Sequence, residues 1–416
     1  MTIPNETDVL VVGGGPAGAL LGCLLARRGI DVVVAEKQTH LDREFRGETL
    51  AAPSVVTLRR LGFGPALSAH GYLETTAVSM RMEGRRVFSL DYGRFDVPAL
   101  PTDIPQPALI KIFNDAAATL PTHTYASGAA CVSLLRDGDA IRGAVLRTKD
   151  NERLEVRARL VVGADGRFSK VRKEAGIDAR IHPADRDFLS FKLPRPADWG
   201  NEASLVVERN KHLVVLPTYP DFLRVGHNLP KRGMGELRKE GFDAFRAGIA
   251  AIEPRLKPLI DEHLNSWNDT GFLEIFTAEV DEWTRDGLVL IGDASHTCTP
   301  ILGQGVNLAI QDTVCITPFI ARALKHGTAK SPVKAAELAP FVDLRRRHKA
   351  LVTRFQRRQE TALAQNTHLA TALRRAKFQA LDRLPMKYRL FGKVLSTPHP
   401  VDPVDLGAAR QEPAAV

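Results

Sequence analysis

The sequence predicts an α/β protein: a Rossmann-like nucleotide-binding unit that carries an inserted, mostly antiparallel β-sheet and ends in basic C-terminal helices. Three observations predict it. Residues 8–37, DVLVVGGGPAGALLGCLLARRGIDVVVAEK, encode a strand, a glycine turn, a helix and a second strand in succession. Two later apolar runs, 160–163 (LVVG) and 288–291 (LVLI), each open into an acid-bearing turn, Asp165-Gly166 and Gly292-Asp293, as strands of an open parallel sheet do at their carboxyl ends. Residues 180–276 switch to short alternating runs broken by proline and glycine, the pattern of an antiparallel sheet.

The first unit reads as a dinucleotide cradle. Residues 9–12 are uncharged and β-branched or leucine, as a strand buried on both faces requires. Gly13, Gly15 and Gly18 supply the G-x-G-x-x-G spacing: a tight turn, close approach of a pyrophosphate to the backbone, and close helix packing. A helix from Pro16 and Ala17 to about Arg28 aims its N–H groups at that pyrophosphate. Glu36, followed by Lys37, ends the second strand, where a carboxylate accepts hydrogen bonds from the two hydroxyls of an adenosine ribose. The motif alone leaves NAD and FAD both open.

Composition bounds the rest. The chain has 416 residues, 44% hydrophobic and 25% charged, enough for two or three structural units. Its net charge of +9 is spread without interleaved aromatics, so nucleic acid is not an expected partner. Cys23, Cys131, Cys298 and Cys315 are too scattered for a metal site or a disulfide framework, which fits a reducing compartment. Residues 9–26 are uncharged, but their glycines and proline and the lack of a preceding basic segment argue against a signal or membrane span. A cytoplasmic protein with no transmembrane segment is expected.

In chain order, residues 53–61 predict a helix stopped by Gly62, and 75–97 a hairpin turning at Glu83-Gly84. A helix is expected over 108–120 and two strands around Asp137-Gly138. Strands are expected at 188–193, 203–208, 212–216 and 222–228, then a helical pair over 234–264 and a strand at 272–277. Gly303-Gln304-Gly305 opens a helix from Val306, whose free N–H groups could stabilise an anion. Residues 335–395 read as basic helices, with Arg345, Arg346, Arg347, Arg354, Arg357 and Arg358 on a solvated face; weak contact with a membrane or partner is the minority reading. The domain expectation follows: 1–73, 98–178 and 277–334 bind the nucleotide, 74–97 and 179–276 form the substrate domain, 335–396 is helical, and 397–416 is a loose tail.

Three motifs, GGGPAGA at 13–19, GADGRFSKVR at 163–172 and GDASHTCTPILGQGVNLAIQD at 292–312, resemble in order and spacing the signature set of the para-hydroxybenzoate hydroxylase superfamily, single-component FAD monooxygenases. The similarity spans residues 1 to about 395, including FRGETL, Ile104-Pro105-Gln106 and SFKLPR, and looks nearest to the polyprenylphenol hydroxylase-like and tetracycline-inactivating branch. The resemblance implies FAD as resident cofactor and NAD(P)H as transient reductant. It implies dioxygen and a small aromatic or enolic substrate, hydroxylated through a flavin C4a-hydroperoxide in secondary or aromatic metabolism. It places Glu36 and Lys37 at the adenosine, Arg46 and Gln106 at the pyrophosphate and ribityl region, and the Val132 backbone at adenine. Asp165 would serve FAD and nicotinamide handling, and Asp293 the ribityl chain. Pro300 would lie beside the isoalloxazine, with Gly303, Gly305, Val306 and Asn307 forming the N1 and O2 cradle.

The catalytic base is not legible. On the strand 222–228, alternation puts Arg224, Gly226 and Asn228 on one face and Val225 and His227 on the other. A glycine suits close approach of a ligand, so the Arg224 face is assigned to substrate, with Lys192 and Tyr219 as further candidates. A reductase of the same architecture, or a flavin-binding accessory protein, is the alternative function. The W-x-W-x-I-P motif of related flavin halogenases is missing, since Trp199, Trp267 and Trp283 stand apart.

Overall fold

The computed structural model describes residues 3–40, 48–208, 211–328, 330–364 and 367–395. Five parallel strands form its centre in the order Leu288–Leu290, Arg153–Gly163, Glu6–Val12, Val32–Glu36 and His123–Ser127. Val9, Leu10 and Val11 are fully buried in one apolar cluster with Leu21 and Leu25 of the following helix and with Ile141, Ala144 and Leu146 of the strand Ala140–Arg147, which accounts for their uncharged run. The helix Pro16–Ala26 is likewise buried all round. Its Leu21 and Leu25 pack on the sheet, while Leu20, Cys23 and Leu24 pack on Leu109 and Phe113 of the helix Gln106–Ala118.

Arg153–Gly163 is long enough to serve two neighbours along one edge. Its first half pairs antiparallel with Ala140–Arg147, which continues to Ala130–Asp137, and its last residues pair with Leu288–Leu290. A Cβ at Gly143 would stand 2.0 Å from the Val156 carbonyl oxygen, so this crossing admits no side chain there.

The second sheet has seven strands in the order Thr270–Leu273, Arg186–Pro194, Phe222–Pro230, Lys211–Thr218, Glu202–Glu208, Ala77–Met82 and Arg85–Asp91. All pairings are antiparallel except Glu202–Glu208 with Ala77–Met82. Leu189, Phe191, Leu223 and Val225 bury one face against Phe245, Ile249, Leu256 and Ile260 of the helical segment that follows. An α/β fold with a Rossmann-like unit, a mostly antiparallel second sheet and C-terminal helices is what the sequence predicts.

Several local expectations change. The helix expected over 53–61 is Ala52–Leu58, continued through a π-helical turn, Arg59–Phe63, into Gly64–His70; Gly62, at φ +84°, bends the chain without ending it. The expected strand 272–277 divides between two sheets: Thr270–Leu273 joins the large one, and Phe276–Val280 pairs with Ala179–Pro183 and His296–Thr297. The expected helical pair is three helices, Met234–Glu240, Phe242–Ile252 and Lys257–His263. The C-terminal region is helical over Ala335–Ala364, His368–Arg383 and Met386–Leu395. Arg46 and the tail 397–416 lie outside the described residues.

Candidate cofactor and substrate site

The three motifs meet at the carboxyl ends of the parallel strands. Gly13 has φ +108°, and a Cβ on it would stand 2.4 Å from the Ala164 carbonyl oxygen, so the turn of the second motif packs directly on the first. Gly18 is equally constrained, since a Cβ there would lie 1.9 Å from the Gly13 oxygen. Glu36 is 3% exposed and accepts from Gly14 N at Oε2 (2.8 Å) and Gln38 N at Oε1 (2.9 Å). Each carboxylate oxygen has two lone pairs, so further donors can be accepted beyond these two. Gly15 caps Pro16–Ala26 with no side-chain hydrogen bond, leaving the helix start for an anion. Lys37 is exposed at the strand end.

Asp165 spends its carboxylate within its own turn: Oδ1 accepts from Ser169 Oγ (2.5 Å), and Oδ2 from Lys170 N (2.6 Å) and Val171 N (3.0 Å). It thereby caps the short helix Lys170–Glu174. Burial pushes its pKa up, against the pull of those donors. From the same motif, the buried Arg172 donates to the Ala294 carbonyl (2.8 Å), which ties motif two to motif three.

Motif three is anchored from both sides. A Cβ at Gly292 would stand 3.6 Å from Ala17 Cβ, and Thr313 Oγ1 donates to the Ala17 carbonyl (3.0 Å). Half-buried Asp293 therefore stands beside the first turn of the glycine-motif helix. Leu302 (φ +62°) and Gly303 (φ +59°) are left-handed and redirect the chain into Gln304–His326, another long helix whose N-cap has no side-chain bond. Asn307 fixes this turn: Oδ1 accepts from Ala51 N (2.7 Å), and Nδ2 donates to the Thr49 (3.1 Å) and Gly303 (2.9 Å) carbonyls. Gly305 and Val306 lie in the first helical turn, and Pro300 is exposed before it. Gln106 is buried at the first position of its helix. Val132 is the extra residue at a bulge: Ser133 pairs with Val145 and Cys131 with Leu146, so Val132 has no cross-strand register partner.

The C-terminal helix Ala335–Ala364 grips this loop through residues that the sequence reading missed. Gly292 N donates to Asp312 Oδ2 (2.8 Å), and Asp312 also accepts from Arg345 Nε (2.7 Å) and Lys349 Nζ (2.6 Å). Lys349 reaches Ser295 Oγ (3.0 Å), Thr353 meets His296 Nε2 (3.0 Å), and Gln356 donates to the Thr299 (3.1 Å) and Ile301 (2.8 Å) carbonyls. Spacings of four, four and three put Arg345, Lys349, Thr353 and Gln356 on one helix face. Arg345 has 0% side-chain exposure, so its expected place on a solvated face is corrected: in an arginine-rich run, charge count hides which residue faces inward. Burial raises the Asp312 pKa, but Lys349 and Arg345 outweigh it and hold the carboxyl below its ordinary range.

On the second sheet, register sets Lys192 beside Arg224 and Ser190 beside Gly226, on the face away from the Phe245 core. Arg224 Nη2 (2.8 Å) and Lys192 Nζ (3.2 Å) converge on Oε1 of Glu48, whose side chain is 9% exposed and whose Oε2 is buried with no hydrogen-bond partner among the described residues. Glu48 immediately precedes Thr49, the residue stapled by Asn307. Asp103 lies in the same cluster, accepting from Thr49 Oγ1 (3.3 Å) and Tyr219 N (3.3 Å); burial, then the neighbouring Glu48, push its pKa up to about 7. Tyr219 also donates its hydroxyl to the His70 carbonyl (2.9 Å), bridging the second sheet to the helix Gly64–His70.

Gly226 does not leave room for a ligand, as its type suggested: a Cβ there would stand 2.0 Å from Phe188 Cε1, so the missing side chain accommodates that ring. His227 faces the helices, 6.3 Å from the Phe245 ring, and burial pushes its pKa down to about 4. Glu48 stood within the quoted FRGETL run; Asp103 had no signal, because it acts through contacts far apart in sequence.

A family model described as FAD binding domain matches residues 6–335. Among curated proteins, the chain is 36% identical over 323 residues to 6-methylpretetramide 4-monooxygenase of Streptomyces rimosus, covering 77% of each. It is 30% identical to rifampicin monooxygenase of Streptomyces venezuelae, over 73% of this chain and 62% of that one. Among solved structures, P. aeruginosa PqsL in complex with 2-aminobenzoylacetate superposes with a TM-score of 0.77 at 23% identity, over 90% of this chain and 99% of PqsL.

Proposed function

Because the chain belongs to the FAD binding domain family and is an FAD-dependent monooxygenase, we propose that it hydroxylates a phenolic or enolic ring held between the Arg224 face of the second sheet and the Gly303–Asn307 turn. The 6-methylpretetramide named for its Streptomyces rimosus relative is the first substrate to try. Two helix starts without side-chain caps, the acceptor Glu36, the Val132 bulge and the left-handed turn at Leu302-Gly303 support FAD as the group held here, with these residues toward its pyrophosphate, ribose, adenine and isoalloxazine. Bound FAD supplies the redox chemistry, with NAD(P)H as reductant and dioxygen as oxidant.

One observation carries the assignment of substrate chemistry. Among the described residues, Glu48 Oε2 is a buried acceptor without a donor, an arrangement that costs about 1–3 kcal/mol unless a ligand completes it. A phenolic O–H supplies that donor. As the O–H bond breaks, its electrons stay on the ring oxygen and the proton passes to Glu48 Oε2. Neutralised Glu48 then releases Arg224 and Lys192 to hold the phenolate, which makes the ring carbon electron-rich for oxygen transfer. Asn307 keeps Glu48 in place by holding the next residue, Thr49.

Labelled dioxygen tests the reading: reduced holoenzyme with a phenolic substrate gives product one labelled oxygen heavier. Glu48→Gln lowers kcat/KM by tenfold or more with FAD content intact, the range of one general base. Reduction of substrate without label would favour the reductase alternative. Among the described residues no helix is long and apolar enough to cross a membrane, and a cytoplasmic location is proposed with the function.

A further inference from the structure

The three C-terminal helices and the edge of the small sheet enclose an open cleft of about 1190 Å³, on whose walls none of Arg224, Gly226, Lys192 or Tyr219 lies. That volume suffices for an organic ligand of ordinary size. Part of the lining is apolar, contributed by Leu369, Leu373, Phe378, Leu381, Leu390 and Phe391. Leu369 is 70% and Leu373 62% exposed, a cost that burial against a hydrocarbon surface would remove.

The rest of the lining is rich in cations. Its two acids, Glu279 and Asp281, are already engaged: Arg357 holds Glu279 (2.7 Å), and Arg180 holds Asp281 (2.8 Å). Arg354, Arg358 and Lys377 line the cleft with no ion-pair partner among the described residues. Three uncompensated cations in one cleft with leucine and phenylalanine side chains call for a ligand that is anionic at one end and apolar at the other.

A second observation points to a ligand head group. His296 also lines the cleft, is 9% exposed, and has a buried Nδ1 with no hydrogen-bond partner among the described residues, while its Nε2 meets Thr353. Burial, then Lys349, push its pKa down to about 3, so the ring is neutral and one nitrogen remains to be satisfied.

We propose that this cleft is a second ligand site for an amphipathic carboxylate, its head among Arg354, Arg358 and His296 and its tail along Leu369 and Leu373. The site stands independently of the substrate reading. Its occupant would touch the same helix that holds the loop 292–302 through Lys349, Thr353 and Gln356.

The test uses the full-length holoenzyme and laurate below its micelle concentration, by titration calorimetry. Saturable binding of one laurate per chain is expected, at least tenfold tighter than methyl laurate. Arg354→Glu/Arg358→Glu should weaken laurate at least tenfold, and Leu369→Asp/Leu373→Asp should do likewise. All four side chains lie at the surface, so melting temperature and FAD content should stay at wild-type values. In sedimentation, phosphatidylglycerol vesicles should leave the protein in the supernatant. Absence of saturable binding, equal affinity for the methyl ester, or laurate affinity unchanged in both variants overturns the proposal. Vesicle binding without laurate binding also overturns it, and replaces the cleft with a membrane-facing surface.

Discussion

Arg345 Nε meets Asp312 Oδ1 at 2.7 Å with neither side chain exposed, and the other carboxylate oxygen holds both Lys349 and the backbone N–H of Gly292. One buried carboxylate thus joins the C-terminal helix to the loop that carries Asp293. Arg345→Met leaves Asp312 with a single cation and should destabilise the fold by about 3–5 kcal/mol. Chemical denaturation with and without FAD checks this, and an unchanged midpoint would remove the clamp from the description. Because the Asp312 carboxyl is held below its unfolded value, its contribution is present above about pH 4 and is lost as pH falls through the folded pKa.

Asp103 should give the opposite pH dependence. Its folded pKa, about 7, lies above the unfolded value of 3.8, so the folded state keeps a proton that the unfolded state has lost. Its contribution to stability therefore declines as pH rises from about 4 to about 7 and stays low above that. Asp103→Asn removes the titration while keeping an acceptor for Thr49 and Tyr219. Relative to wild type, the variant should gain stability between pH 5 and pH 8; a constant difference across that range would mean that Asp103 titrates normally.

Gly226→Ala should cost about 1–3 kcal/mol, because its methyl group enters the space of the Phe188 ring. Adding Phe188→Ala should recover part of that loss, and a double-mutant cycle measures the coupling. Additive effects would place the ring elsewhere in solution.

Glu36→Ala should weaken FAD by about 1–3 kcal/mol through loss of a buried acceptor. The expected effect exceeds that of a lost ribose contact alone, because Glu36 also holds Gly14 N within the glycine turn. Flavin fluorescence on titration of the apoprotein reports it, and wild-type affinity would place the adenosine end away from Glu36.

The parallel sheet was legible because its signals are local. Glycine spacing, an uncharged strand and a terminal acid are dictated by the turn and by burial on both faces, and each falls within thirty residues of its partners. Alternation likewise assigned Arg224 and Val225 to opposite faces before any contact was known. Gly226 shows where local reasoning stops: the sequence marks a position lacking a side chain, and the fold determines whether a ligand or Phe188 uses the space.

By itself, the sequence determined the α/β class and the three strand-end motifs, because φ/ψ restrictions and period-two burial act over a few residues. The tertiary structure alone decided that Asp312 is held by Arg345 and Lys349, and that Glu48 meets Arg224 beside the Asn307 turn. These partners are far apart in the chain, and composition cannot distinguish an inward arginine from its solvated neighbours. Only packing removes the water that would otherwise screen such charges, and this makes their pairing both specific and strong.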